Sequence, residues 1–453
     1  MDDPLFSNSA RLRVPATRQP VRHHAQAILP LLAGIGVWFL LCLTALGRGG
    51  EAAWAEGLAL LAGALGAAAF AIAPTALPRP LTTAALLWLL LCLWCWLQSL
   101  PLPALAHPVW GEAAAALPAI GGGSIALDPY AARGDALRLM AYAGLFALGM
   151  VLARSGYSLW VLAVTAAPIA LFTLAALALV PDQQGFNPGK VRHAADAVFP
   201  FTNRNTFCAF AGAGLTICLA VIASGSARVW PYWLCMAVVC AAGVIAAHSR
   251  AGMAATIIGC VVALLLTRPP RLAQTVLLAS IAGLAVLSLF TLTGLRLAGV
   301  WQDLTIRLAI WQASANIAQA YFWQGLGSLD QALQIGPVDW GNRHILRAHN
   351  IYLQAVAERG FPATVATIAA ILLCVRQALR TQRSCHPPAA RASKAAALGV
   401  LALFASHGLV DFSLYAPINA AIMAILLGLA CGNAPRALPR QQAFATNAPP
   451  SPF

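Results

Sequence analysis

Apolar residues in this chain fill long blocks, with little of the helical or strand alternation expected of a half-buried surface element. Each block runs to about 20 residues, the length that carries an α-helix across a hydrocarbon core about 30 Å thick. The blocks predict spans over Ala27 to Leu46, Gly57 to Leu77, Thr82 to Leu97, Leu137 to Ala153, Leu159 to Val180 and Phe207 to Ala223. The second half adds Pro231 to Ala247, Ala251 to Thr267, Leu272 to Gly294, Phe361 to Val375, Ala395 to Val410 and Ala416 to Cys431, twelve in all. A β-barrel would show short alternating segments, and none is visible. The expected fold is therefore all-α and polytopic, with a large loop, 295–360, before the tenth helix. No repeat of 20 to 50 residues stands out.

Composition agrees with that pattern. Hydrophobic residues make up 60% of the 453 positions, charged residues 9%, and the mean hydropathy is +0.75. A soluble domain carries roughly 25% charged residues. Residues 1–26 are polar and basic, and the apolar run behind them is long and lacks a small-residue cleavage site, so the first helix is expected to be retained. The membrane domain is placed at 27–431, and the proline-rich end, 432–453, is expected to be a disordered cytoplasmic tail.

Charge then fixes the orientation. Twelve spans behind a basic N-terminus put both termini in the cytoplasm, and the segments so assigned hold 16 basic residues against Asp2 and Asp3. The other side holds 12 of each sign, so the net charge of +14 lies wholly on the cytoplasmic face. Basic loops beside anionic headgroups account for the sequence pI of 9.8 without any nucleic-acid partner. None of the 11 cysteines falls in an outer loop, so no disulfide framework is expected. The Cys92–Cys95 pair lies inside the apolar run LLLCLWCWL and reads as packing.

Three outer segments are long enough for chemistry: 98–136, 181–206 and 295–360. Several unusual polar residues converge on that face. Arg204 precedes the sixth helix in FTNRNTF, Arg250 sits in the turn HSRAG, Arg307 and His349 come from the large loop, and His407 and Asp411 from the end of the eleventh helix. Arginines clustered at an apolar boundary are costly unless they meet anions. A guanidinium fork matches phosphate oxygens, and a nearby histidine is a natural base for an alcohol. The set describes a site for a phosphorylated lipid.

Plainer readings apply to the remaining groups. Arg138, Arg296 and Arg359 read as snorkelling anchors. Glu358 is nine residues from His349 and out of phase with it, so it reads as a structural partner of Gln354. Gly325 and Gly327 read as a turn, Lys190 and His193 as solvated loop charges, and His344 as a weakly placed rival base. The string RAHNIYLQAVAERGFPA has helical spacing and is expected to break at Gly360-Phe361-Pro362.

Taken in order, NRNTF, SRAG, RLAIW with a GLG turn, HNIYLQAVAERG and SHGLVDFSLYAPINA resemble the O-antigen ligase/polymerase family of bacterial inner-membrane proteins, over about 200–430. The first five helices fit only by hydropathy, and YFWQGLGSLDQ lacks the proline that members commonly place before the glycine turn. The resemblance implies a metal-independent, inverting glycosyltransferase at the periplasmic face, taking glycan from an undecaprenyl-diphosphate carrier. Carried over by position, Arg204, Arg250 and Arg307 would hold the diphosphate, His349 would deprotonate the acceptor hydroxyl, and Asn350 and Asp411 would orient the groups. The implied partners are the lipid-linked glycan donor, an acceptor (lipid A–core or a lipid-linked repeat unit) and membrane lipid, with no cofactor and no metal. Ligase is placed first and polymerase second, with a protein-glycosylating branch behind them. A flippase or other transporter is the alternative of a different class, disfavoured because no two halves repeat and the ionisable residues sit at one face.

Overall fold

The computed structural model describes residues 19–74, 76–116, 122–179, 196–226, 229–269, 300–335, 345–384 and 388–432, with isolated positions between 275 and 283. It is all-helical: among these residues no β-strand forms, and the one extended contact is an isolated bridge between Pro101 and Ser124. In chain order the helices are α1 Gln19–Leu46, α2 Ala53–Ile72, α3 Arg79–Gln98, α4 Val109–Ala116, α5 Pro129–Arg154 and α6 Ser158–Leu179. They continue as α7 Arg204–Ala223, α8 Trp230–Ala246, α9 Arg250–Thr267, α10 Val300–Ala320, α11 Leu329–Ile335, α12 Ile351–Arg359, α13 Phe361–Ser384, α14 Pro388–His407 and α15 Pro417–Cys431. Nine of the described helices are long and apolar enough to cross a membrane, and α8 and α15 are shorter apolar helices. These eleven correspond to the expected spans except Leu272 to Gly294, which lies almost wholly outside the described residues, as do residues 1–18 and 433–453.

Several helices begin earlier than hydropathy placed them. The Asp128 side chain accepts from the backbone N–H groups of Tyr130 and Ala131 and starts α5 at Pro129, eight residues before Leu137. The intervening polar residues stay on the helix because they find partners: Arg133 donates to Ser99 Oγ at 3.2 Å, and Asp135 pairs with arginines as described below. The segment 295–360 is also more than a loop, since it contains the 21-residue α10 together with α11 and α12.

α7 forms the centre of the bundle, with 89% of its apolar window buried, against 28% for α3 and α13. It packs against α8, α9 and α14, while α5 packs against α2, α3 and α15. Small residues make the close contacts. A Cβ on Gly144 would lie 2.1 Å from Gly63 O, one on Gly428 2.0 Å from Phe146 O, and one on Gly399 2.7 Å from Gly259 O. Backbones that close are held by dispersion, which is what drives helix association once lipid has removed the hydrophobic difference.

The expected break after RAHNIYLQAVAER is present. α12 ends at Arg359, Gly360 takes φ +83°, and α13 begins at Phe361. The glycine turn locks onto this joint: Leu326 and Gly327 donate from backbone N–H to Ala357 O at 3.0 Å and Glu358 O at 2.8 Å. A side chain at Gly360 would put its Cβ 2.3 Å from Trp323 O, and one at Gly325 2.4 Å from Glu358 O. The GLG stretch is therefore a packed structural turn.

Candidate functional site

The site grows from helix starts. Asn203 accepts from the N–H of Asn205 at 2.8 Å and opens α7. Ser249 Oγ accepts from Gly252 N–H at 3.2 Å and opens α9. Asn350 accepts from Tyr352 and Leu353 N–H, at 3.1 and 3.0 Å, and opens α12. Each helix start carries roughly half a positive charge on its unpaired N–H groups. Contacts between the elements, given next, bring the three starts together at one end of the bundle. That end is electropositive before any side chain is counted, which suits an anion.

Asp411, in the turn between α14 and α15, is fully buried and joins these starts. Asn205 Nδ2 donates to its Oδ2 at 2.6 Å and Phe412 N–H to its Oδ1 at 2.8 Å. His349 Nδ1 stands 3.8 Å from Oδ2 and Arg307 Nη2 4.0 Å. Arg307 also donates through Nη1 to Val410 O. Burial alone would raise the Asp411 carboxyl, but the adjacent His349 and His407 and the Phe412 N–H outweigh it and hold the group down at about 2.

His349 occupies an unusual backbone position, with φ +51°. That left-handed conformation costs a non-glycine residue about 1–3 kcal/mol and persists only where neighbours impose it. Its carbonyl accepts from Trp311 Nε1 at 3.3 Å, and its ring meets the edge of Phe412 at 4.9 Å between centroids. At 3.8 Å the imidazole is beyond hydrogen-bond distance of Asp411, and its Nδ1 is buried with no hydrogen-bond partner among the described residues. An approach of less than 1 Å would close the pair, a tightening common when substrate binds.

The other arginines attach to the same assembly. Ser249 Oγ donates to Asn205 Oδ1 at 2.7 Å, so Asn205 links α7, α9 and the Asp411 turn through one side chain. Arg204 immediately precedes Asn205, and Arg250 follows Ser249. Arg204 Nη1 is paired with Asp196 Oδ2 at 2.8 Å, and the other oxygen of Asp196 meets His248 Nδ1 at 3.0 Å. Arg250 is exposed and makes no ion pair among the described residues. His407 is buried, with Nδ1 hydrogen-bonded to Ser413 Oγ at 2.8 Å. The structure thus brings Arg307 and His349 to Asp411, with Arg204 and Arg250 next in sequence to Asn205 and Ser249 of the same network, while the oxygen of Asn350 is taken up by its helix cap. Lys190, His193 and His344 lie outside the described residues.

Sequence reasoning missed Asn205, Ser249, Asp196 and His248. Asn205 and Ser249 were inside the quoted motifs, each beside the arginine that drew attention. It also misjudged Arg138 and Arg359 as anchors. Arg359 Nη2 pairs with Asp135 Oδ2 at 3.0 Å, and Arg138 with Asp135 Oδ1 at 2.6 Å and with Glu56 at 3.0 Å. An aspartate inside an apolar helix is tolerable only when paired, and that was the available signal.

A family model described as O-antigen ligase matches residues 235–368, less than half of the chain. The matched stretch contains Arg250, Arg307, His349 and Asn350. Arg204 and Asp411 lie outside it and join the site through contacts in the folded chain. No curated protein sequence matches the chain.

Proposed function

We propose that this multi-pass membrane protein, with its O-antigen ligase family region, transfers a glycan from an undecaprenyl-diphosphate carrier to a sugar hydroxyl at the periplasmic face. The observation that supports it best is the convergence on buried Asp411 of a histidine and an arginine, beside helix starts that carry two more arginines. Guanidinium groups of Arg204, Arg250 and Arg307 hold the diphosphate and neutralise the charge that grows on it as the anomeric bond breaks. Arg250, exposed and without an ion pair among the described residues, is the group freest to meet substrate first.

His349 takes the proton of the acceptor hydroxyl as its oxygen attacks the anomeric carbon from the side opposite the leaving diphosphate, which inverts the linkage. With Nδ1 directed at Asp411, Nε2 is the nitrogen that receives the proton, and the Asp411 carboxylate stabilises the imidazolium that results. Charge neutralisation by arginine leaves no step that calls for a metal ion.

Purified protein in proteoliposomes, supplied with an undecaprenyl-diphosphate oligosaccharide and a lipid A–core acceptor, tests this. Wild type should transfer glycan with or without EDTA. His349→Ala and Arg307→Ala should each lose about 100-fold or more while remaining folded. Transfer undiminished in both variants would remove the site assignment. Product on lipid A–core marks a ligase, and extended lipid-linked repeat units mark a polymerase. Passage of donor across the bilayer without transfer would mark a flippase.

A further inference from the structure

The strained backbone at His349 is held by two buried side chains that the proposed chemistry does not use. Gln354 is fully buried, and its Oε1 accepts from the backbone N–H of Ala348 at 3.1 Å, the residue just before His349. Its Nε2 donates to Glu358 Oε1 at 2.9 Å. Glu358, only 3% exposed, accepts through Oε2 from the hydroxyl of Tyr415. Tyr415 lies four residues beyond Asp411 on the same turn. Arg347 completes the group, 3.9 Å from Glu358 Oε1 and with its guanidinium 4.6 Å from the centroid of the Tyr415 ring. Both Glu358 oxygens are therefore occupied and neither reaches His349 or open space, so the carboxylate cannot itself serve the reaction.

We infer that Gln354 and Glu358 are positioning residues: they pin the backbone beside His349 and, through Tyr415, tie it to the turn that carries Asp411. The chain Ala348 N–H, Gln354, Glu358, Tyr415 runs by hydrogen bonds from the residue before His349 to Tyr415, whose own N–H donates to Phe412 O at 2.8 Å, beside Asp411. It sets the separation of imidazole and carboxylate. The inference rests on the transferase reading for its consequence in catalysis, though the geometry it asserts does not.

Exchange of the two residues tests it. In Gln354→Glu, two carboxylates face each other and the chain breaks. In the double variant Gln354→Glu with Glu358→Gln every bond is available again: the new carboxylate accepts from Ala348 N–H and from the new amide, whose oxygen accepts from Tyr415. The single variant should lose about 100-fold in kcat with the donor KM unchanged, since a misplacement of about 1 Å costs that much. The exchange should recover to within about tenfold of wild type.

Carbethoxylation of His349 by diethylpyrocarbonate, read by peptide mass spectrometry, gives a measure independent of transfer. Its rate should change in the single variant and return in the exchange. If Gln354→Glu does not fold, Gln354→Leu carries the same two measurements. Equal His349 modification in all variants, or an exchange no better than the single variant, would overturn the inference. Modification that follows the expected pattern in a protein whose wild type transfers no glycan would sink the transferase reading and leave the positioning intact.

Discussion

Asp411 shows how much one buried carboxylate can organise. Its carboxyl sits at about 2, below the ordinary value of about 3.9, so the ionised form is favoured by folding. The stability this contributes is complete above the unfolded value and is lost as pH falls through about 2. The difference in thermal midpoint between wild type and Asp411→Asn should therefore shrink as pH falls from about 4 towards 2. A difference unchanged over that range would contradict the assignment. It also follows that an acid limb of the pH–rate profile near neutrality belongs to an imidazole and not to Asp411.

Asn350 poses a different question at the same scale. Its oxygen caps α12, so Asn350→Ala should cost about 0.5–2 kcal/mol through the loss of the cap. Asn350→Asp keeps the cap acceptor and should keep that stability. If the aspartate variant is stable but inactive, the residue meets substrate as well as holding the helix. If both stability and transfer survive, the cap is its whole task.

Elements were largely legible in the sequence, and for identifiable reasons. Blocks of apolar residues mark spans because lipid demands them, and the α12–α13 break was readable from Gly360 and Pro362. The Gln354–Glu358 contact was readable because it is local, four residues apart on one helix. The helix start at Pro129 was misplaced by eight residues because hydropathy ignores caps. The Arg359–Asp135 pair was missed because its members are 224 positions apart, beyond any local pattern.

Helix packing makes its own prediction. Gly144→Val would drive a side chain into the Gly63 backbone, where even a Cβ is only 2.1 Å from the carbonyl oxygen. It should destabilise the α2–α5 pair by about 1–3 kcal/mol or more, visible as a lower thermal midpoint in detergent. Gly57→Val, where an added Cβ meets nothing within 4 Å, should leave the midpoint unchanged.

For the whole molecule, the chain of ion pairs from Glu56 through Arg138 and Asp135 to Arg359 joins α2 and α5 to α12. Asp135→Asn would leave Arg138 with Glu56 alone and strand the largely buried Arg359 guanidinium, and breaking one partner of such a pair costs about 3–5 kcal/mol. The expected result is a large fall in thermal midpoint, while Arg359→Met, which removes the stranded charge, should restore part of it in the double variant. A double variant less stable than Asp135→Asn alone would show that the pairing does not bear on stability. The charged members of the candidate site were legible as a set, because arginine and histidine stand out in so apolar a sequence. What held those charges together was not, because Asn205 and Asp411 meet across 206 positions.

The joint between α12 and α13 has a consequence for how such proteins vary. Trp94 donates to Arg359 O at 2.8 Å, and Gln98 donates to Gln324 O at 2.7 Å and Glu358 O at 3.0 Å, so α3 is stitched to the segment that carries His349. The first helices, outside the family match and the most anonymous part of the sequence, are thus a mould for the best-marked part. These donors grip backbone carbonyls, which any residue supplies, so the seam asks for Trp94 and Gln98 on one side and for no particular side chain on the other. Lineages of this chain should therefore keep the two donors on α3 even where the residues whose carbonyls they hold have changed.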